Sequence, residues 1–193
     1  MQQSCLGNAL LCTDDDEIMT VGLNEGLWSW GIRPPGLAHD DTKTVEVLKY
    51  RLEQHPRYDA VLCLQPTNPL RTPEDIDIAV ELYREHGPDS VISVTPVVDY
   101  HPAHMCRVSG SRLSLWVDDA RAWGPRQGLD RYYLRDGSIY ITSARCIFEN
   151  SMVGKRCRVL EIPTGRSIRI DSQYDLDKAQ FMYERLLTNT PST

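Results

Sequence analysis

Seven residues, Gln65-Pro66-Thr67-Asn68-Pro69-Leu70-Arg71, stand directly after the apolar run Asp59 to Leu64. They bring together an amide that donates and accepts (Gln65), two short polar groups (Thr67, Asn68) and a planar fork suited to carboxylate or phosphate (Arg71). Pro66 and Pro69 each fix φ, so the segment is stiff and its polar groups are aimed before any ligand arrives. Two readings fit: a binding loop, or a rigid turn whose polar groups cap a helix starting at Thr72. Two further clusters could join it, Thr13 and Asp14 after the apolar run Ala9 to Cys12, and Asp171 after Ser167 to Ile170. Ligands of open α/β sheets bind beyond the carboxyl ends of the strands, so three such clusters can converge on one crevice. Asp171 is a hard oxygen ligand of the kind Mg²⁺ takes, but on spacing alone its plain meaning is a helix N-cap. Asp14 to Asp16 reads as a metal site or, more commonly, as acidic charge at a helix start.

The elements that must position these groups alternate between strands and helices. Ala9 to Gly26 reads as strand, loop and helix, and the Pro/Gly-rich stretch from Trp28 to Asp41 as a loop. A helix follows with Val45, Leu48 and Leu52 on one face, Asp41 or Thr42 as N-cap, and Pro56 as its stop. Asp59 to Leu64 has the continuous apolar character of a strand buried on both faces. The next helix carries nearly every local signal: Thr72 as N-cap, Pro73 at the first position, Glu74 and Asp75 in the first turn, and Ile76, Ala79, Val80 and Tyr83 on one face. Gly87 closes it, and Ser90 to Val97 is a further strand, completing a strand-helix-strand crossover. From Val98 to Gly124 the helical period vanishes, which implies an excursion from the sheet with a short hairpin around Ser109 to Arg112. Tyr132 to Ser143 reads as a strand pair or a bent strand turning at Asp136-Gly137, and Cys157 to Pro163 and Ser167 to Asp171 as two short strands. A closing amphipathic helix has Ser172 and Asp175 in capping-box register, and residues 188–193 form a tail.

A chain of 193 residues fits a single domain, 1–193, that buries roughly 70% of its unfolded surface. No apolar run approaches the ~18 residues of a membrane span. The net charge of −6 and the lack of a Lys/Arg block argue against a nucleic-acid partner. Six scattered cysteines without CxxC pairing, and no charged-then-apolar leader, point to the cytoplasm. His101 and His104 flank Pro102 outside any helix with no Cys nearby, which does not make a zinc site, and the four tryptophans lie in loops as packing or dimer contacts. Neither G-x-S-x-G nor G-x-G-x-x-G is present, which removes hydrolase and dehydrogenase readings of the α/β pattern.

The segments LCTDDDEI, RPPGLAHDDTKTVEVL, LQPTNPLRTPEDID, DSVISVTPV, RQGLDRYYLRDGSIYIT and IPTGRSIRIDSQYDL, in this order, resemble the acylneuraminate cytidylyltransferases. These are the CMP-N-acetylneuraminic acid synthetases and their pseudaminic and legionaminic acid relatives, and the likeness runs from Asn8 to Leu187. The resemblance implies a Rossmann-like, three-layer α/β sandwich with a mostly parallel sheet. It also implies Mg²⁺-dependent transfer of CMP from CTP to a nine-carbon acidic sugar with release of pyrophosphate, and a homodimer reached through the 98–124 excursion. Carried over by position, Gln65, Pro66, Thr67, Asn68 and Arg71 lie against the sugar and nucleotide, Arg33 supports the nucleotide side, and Arg126 and Gln127 face the sugar. Asp14, Asp136, Gly137 and Arg166 fall on the substrate side, and Asp171 is the metal ligand, catalytic together with Arg71.

The family's pattern opens with an earlier strand and a Gly-rich basic loop like ARGGSKGIPRKN, for which residues 1–60 hold no counterpart. Arg169 stands where many members carry Asp, and Asp136 where Asn is expected before Gly137. The expectation for these residues alone is little or no CMP transfer. The alternative is a catalytically inactive relative that binds a sugar nucleotide or a partner subunit.

Overall fold

A computed structural model of the chain describes residues 9–97, 100–117, 123 and 126–189. It divides into two compact units, Met1–Pro56 and Arg57–Thr193.

In the first unit the apolar run at Ala9 does not become a strand. Its backbone makes a single parallel bridge, Leu10 with Trp28, closed by the Leu11 N–H donating to the Trp28 carbonyl at 2.7 Å. Helix α1 (Asp16–Asn24) starts at Asp15, whose carboxylate accepts the Ile18 N–H at 2.8 Å. Helix α2 (Thr44–Gln54) begins later than the sequence suggests, with Lys43 rather than Asp41 or Thr42 at its cap. The Thr42 hydroxyl instead accepts the His39 N–H at 3.2 Å, within the turn that precedes the helix. Trp30 stacks on His55 just past the end of α2, and Trp28, 46% exposed, meets Trp30 edge-on.

The second unit is built on a four-stranded sheet. Its strands are β1 (Ala60–Leu64), β2 (Ser90–Pro96), β5 (Tyr133–Ser143) and β6 (Cys157–Glu161), in the order β1-β5-β2-β6. β5 is antiparallel to both β1 and β2, while β2 and β6 are parallel, so three of the four strands share one direction. β1 and β2 therefore bracket an inserted strand instead of pairing. As an edge strand, β1 is half-buried along its length, in contrast to the strand covered on both faces that its apolar run suggested. The covered strand is β2, buried from Ser90 to Thr95.

Helix α3 (Pro73–His86) follows its sequence signals closely. The Thr72 hydroxyl accepts the Asp75 N–H at 3.3 Å, Asp75 accepts the Thr72 N–H at 2.7 Å, and Gly87 ends the helix at φ +49°. Its Ile76, Ala79, Val80 and Tyr83 pack against Val91, Ile139, Ile141 and Leu160 of the sheet and Ile162 just past β6. A short helix, α4 (Ala144–Phe148), follows β5 without any sequence expectation. Strands β3 (Cys106–Ser109) and β4 (Arg112–Leu115) form the hairpin expected around Ser109, and parts of the 98–124 excursion lie outside the described residues. Helix α5 (Gln173–Asn189) closes the unit and overlaps the start of the expected tail, whose residues 190–193 also lie outside the described residues.

β5 resolves the choice between strand pair and bent strand. It is one strand of 11 residues with an irregularity in its middle. Between the pairs Ile92↔Tyr140 and Val94↔Arg135, β2 advances two residues and β5 advances five, so three extra residues bulge out of β5. The Ser93 hydroxyl bridges the gap, accepting the Ile139 N–H at 2.8 Å and donating to the Ile139 carbonyl at 3.2 Å. Gly137 adopts φ +87° within the bulge.

Candidate functional site

The loop between β1 and α3 is held from three sides. Asn68, 2% exposed, donates its two amide hydrogens to the carbonyls of Asp136 (2.6 Å) and Ile168 (3.1 Å). Its own carbonyl oxygen receives the Thr67 hydroxyl at 3.3 Å. A Cβ built on Gly137 would come within 3.1 Å of that oxygen, so the bulge needs glycine both for its positive φ and for the close approach of Asn68. Arg71 turns one guanidinium nitrogen back onto its own loop, donating to the carbonyls of Gln65 and Asn68, each at 2.7 Å, with Ser138 at 3.5 Å. Burial pulls its pKa below the ordinary arginine value, while Cys63 and Asp136 nearby work in the other direction. Gln65 and Thr67 are left half-buried and Pro66 exposed.

The second side of the loop is an ion pair. Arg166 grips Asp75 with two nitrogens, Nη2 to Oδ1 at 2.9 Å and Nη1 to Oδ2, and Nη1 also reaches the Leu70 carbonyl at 3.4 Å. Burial alone would raise the Asp75 pKa, but the Arg166 hydrogen bond and the backbone bond from Thr72 outweigh it and hold it below the ordinary value. The same pairing raises Arg166. The third side is the stretch Ser167 to Asp171, which does not join the sheet as a strand. It is tied to the loop by the Ile170 N–H donating to the Thr67 carbonyl at 2.9 Å, and Ile168 packs with Leu70 and Ala179 of α5.

These contacts separate the residues named from sequence into groups. Gln65, Pro66, Thr67, Asn68, Arg71, Asp136, Gly137 and Arg166 form one connected network, with Asn68 and Arg166 serving the loop's own structure. Asp136 is 7% exposed and its carboxylate closes on Ser138, accepting the backbone N–H at 3.2 Å and the hydroxyl. Asp171 is further out; its side chain is 56% exposed and paired with Arg169, Nε to Oδ2 at 2.6 Å. Ser172 and Asp175 make the expected capping pair of α5, with the Ser172 hydroxyl donating to Asp175 at 2.6 Å. Asp14 and Arg33 belong to the first unit, where they pair with each other and Arg33 lowers the Asp14 pKa. Gln127 sits exposed in a 3₁₀ turn, Arg126–Gly128, that also contains the Arg126 backbone. Sequence reasoning missed Ser93, Ser138 and the partnership of Asp75 with Arg166. Only Asp75 carried a local signal, its place in the capping box.

Among the described residues no group of three or more His, Cys, Asp or Glu side chains could hold a metal ion. A protein cage for a cation is therefore not present there. Mg²⁺ is commonly held by one or two carboxylates with substrate phosphates and water completing the shell, and the single exposed carboxylate of Asp171 fits that pattern.

The mixed sheet, with three of its four strands running in one direction, has the fold of solved Rossmann-like nucleotidyltransferases. A CMP:2-keto-3-deoxy-manno-octonic acid synthetase complexed with CTP superposes with a TM-score of 0.68 at 13% identity, over 96% of this chain and 84% of that one. The 4-diphosphocytidyl-2C-methyl-D-erythritol synthase of Anaerococcus prevotii gives 0.57 at 14% identity, over 92% and 82%. By sequence the chain is homologous to acylneuraminate-type cytidylyltransferases. It is 33% identical over 160 residues to the CMP-N,N'-diacetyllegionaminic acid synthase of Legionella pneumophila, covering 78% of this chain and 66% of that protein. An N-acylneuraminate cytidylyltransferase of Streptococcus agalactiae is 27% identical over 84% of this chain and 39% of its own length. The pseudaminic acid cytidylyltransferase of Campylobacter jejuni is 24% identical over 91% and 77%. The chain thus spans from about two fifths to three quarters of these relatives. No family model matches it.

Proposed function

We propose that the protein activates a nine-carbon acidic sugar of the sialic, pseudaminic or legionaminic type as its CMP-sugar. A sugar hydroxyl oxygen attacks the α-phosphorus of CTP, the new P–O bond forms as the bond to pyrophosphate breaks, and the hydroxyl proton leaves to a base or to water. The observation that carries this reading is the preformed loop Gln65–Arg71, fixed on three sides at the carboxyl edge of the sheet in a homologue of these cytidylyltransferases. Transfer to a weak hydroxyl nucleophile depends mainly on positioning and on neutralising phosphate charge, and a rigid polar loop supplies the first. Mg²⁺, held by Asp171 with the phosphates, would supply the second.

The cytoplasm, where CTP is available, is the proposed location. A homodimer is the proposed assembly, supported by the exposed Val108, Leu113 and Trp116 of the β3–β4 hairpin. A second reading, a non-catalytic relative that binds a sugar nucleotide, is favoured by the pairing of Asp171 with Arg169. Incubation of the protein with CTP, Mg²⁺ and a panel of nine-carbon acids, following pyrophosphate, separates the two. Release with one of the acids is expected for the enzyme. Saturable binding of CTP or a CMP-sugar without release would favour the binder, and neither activity nor binding would refute both.

A further inference from the structure

Strand β2 carries three buried side-chain hydroxyls. The Ser90 oxygen, at the amino end, accepts the Gly154 N–H at 3.1 Å. Ser93, in the middle, stitches the β5 bulge through both backbone groups of Ile139. Thr95, at the carboxyl end and 8% exposed, has no hydrogen-bond partner for Oγ1 among the described residues. A buried hydroxyl without a partner costs roughly 1–3 kcal/mol relative to one that is bonded. Native proteins retain such groups where water, an ion or a ligand completes them. Among the described residues the other buried side-chain atoms of this kind are Nε of Arg33 and of Arg51, in guanidinium groups that bond through another nitrogen, whereas the Thr95 side chain has a single polar atom.

Position adds a second argument. β2 lies inside the sheet between β5 and β6, and its carboxyl end is where ligands enter open α/β sheets. Thr95 pairs with Leu134 on β5, just ahead of the Asp136–Ser138 bulge that holds Asn68. On the other side, the Ile162 N–H donates to the Val94 carbonyl at 2.7 Å, and the chain then returns to the substrate loop through Ile168 and Ile170. The backbone at Thr95 is therefore flanked by the two segments that anchor Gln65–Arg71.

We propose that Thr95 is a ligand-binding residue whose hydroxyl completes its hydrogen bonding with an oxygen of a polyhydroxylated ligand, either the acidic sugar or the ribose of the cytidine nucleotide. This rests on the proposed function only in requiring that one of those ligands binds. Thr95→Val keeps the shape and removes the hydroxyl, while Thr95→Ser keeps the hydroxyl. Calorimetric titration with CTP and, separately, with N,N'-diacetyllegionaminic acid reads the two possible sources of the oxygen. Thermal melting of the ligand-free protein reads the structural cost. Thr95→Val is expected to weaken one of the two ligands roughly five- to tenfold while leaving the ligand-free melting temperature unchanged or raised, and Thr95→Ser to stay within about threefold of wild type. Equal affinity of Thr95→Val and wild type for both ligands would overturn the inference alone. So would a drop of several degrees in the ligand-free melting temperature of Thr95→Val, because the hydroxyl would then be bonded within the protein. Wild-type protein that binds neither ligand would refute the functional reading, and the inference with it.

Discussion

The two ends of the second unit's sheet each bury an aspartate, and they treat it differently. At the amino edge Asp89 precedes β2 and accepts from Arg145 at 2.6 Å, from the Arg156 N–H at 3.0 Å and from the Arg156 side chain at 3.4 Å. Gly154 packs so tightly there that an added Cβ would overlap Asp89. The polar groups of this corner answer one another. At the carboxyl edge Asp75 is held just as firmly by Arg166 and Thr72, but the loops and strand ends of that edge also carry half-buried Gln65 and Thr67, Thr95 with no hydrogen-bond partner among the described residues, and exposed Asp171. The same buried ion-pair chemistry closes one edge and at the other fixes the Gln65–Arg71 loop proposed to bind the ligand. Breaking the first should cost stability alone; breaking the second should cost binding as well.

The largest effect is expected at Asn68. Asn68→Asp keeps the shape but turns a carboxylate oxygen toward the carbonyls of Asp136 and Ile168, which had received N–H donors. We expect a loss of about 3 kcal/mol in denaturant unfolding, together with loss of ligand binding in whatever remains folded. Asn68→Ala, which leaves two carbonyls unanswered without adding charge, should cost about 2 kcal/mol. An Asn68→Asp protein of wild-type stability would show that the loop is not anchored through this amide.

At the amino edge, Asp89→Asn should lower the melting temperature by several degrees and leave affinity for CTP and the acidic sugar unchanged. A change in affinity would erase the contrast between the edges. Acid titration sharpens it. The backbone N–H of Arg156, with the two arginine side chains, holds the Asp89 pKa below its ordinary value of 3.8, and Arg166 does the same for Asp75 against the opposing effect of burial. A carboxylate whose folded pKa is depressed contributes its full stability above the unfolded pKa and loses it as pH falls through the folded one. Wild-type stability should therefore fall below about pH 4, and the fall should be shallower in Asp89→Asn, measured as melting temperature from pH 6 to pH 3.

Much of this frame was legible in the residues. The α3 caps, its buried face, the hairpin at Ser109 and the capping pair of α5 are encoded within a few residues of where they act, and all appear as read. What failed was non-local. Nothing near Tyr133 says that β5 inserts antiparallel between β1 and β2, because strand pairing is decided by partners dozens of residues away. Gly137 looked like a turn glycine, yet its reason is the approach of Asn68, and nothing near Arg166 in the sequence shows its pairing with Asp75, 91 residues away. The loop's stiffness was visible in its two prolines, but the three anchors that aim it were not.

The smallest expected effect on stability is at the outermost pair. Arg169 and Asp171 have side chains 68% and 56% exposed, so solvent screens their attraction, and Arg169→Ala should change stability by no more than about 0.5 kcal/mol. Its effect on function has a sign that tells what Asp171 is for. If the carboxylate holds Mg²⁺ with the phosphates, removing the competing guanidinium should lower the Mg²⁺ concentration needed for half-maximal pyrophosphate release, and Asp171→Ala should abolish release. If Arg169 instead meets a phosphate directly, Arg169→Ala should raise the KM for CTP with the Mg²⁺ requirement unchanged. A Mg²⁺ titration of the single variants distinguishes the two, and an Asp171→Ala protein with wild-type Mg²⁺ dependence would remove Asp171 from the open edge and leave it as the start of α5.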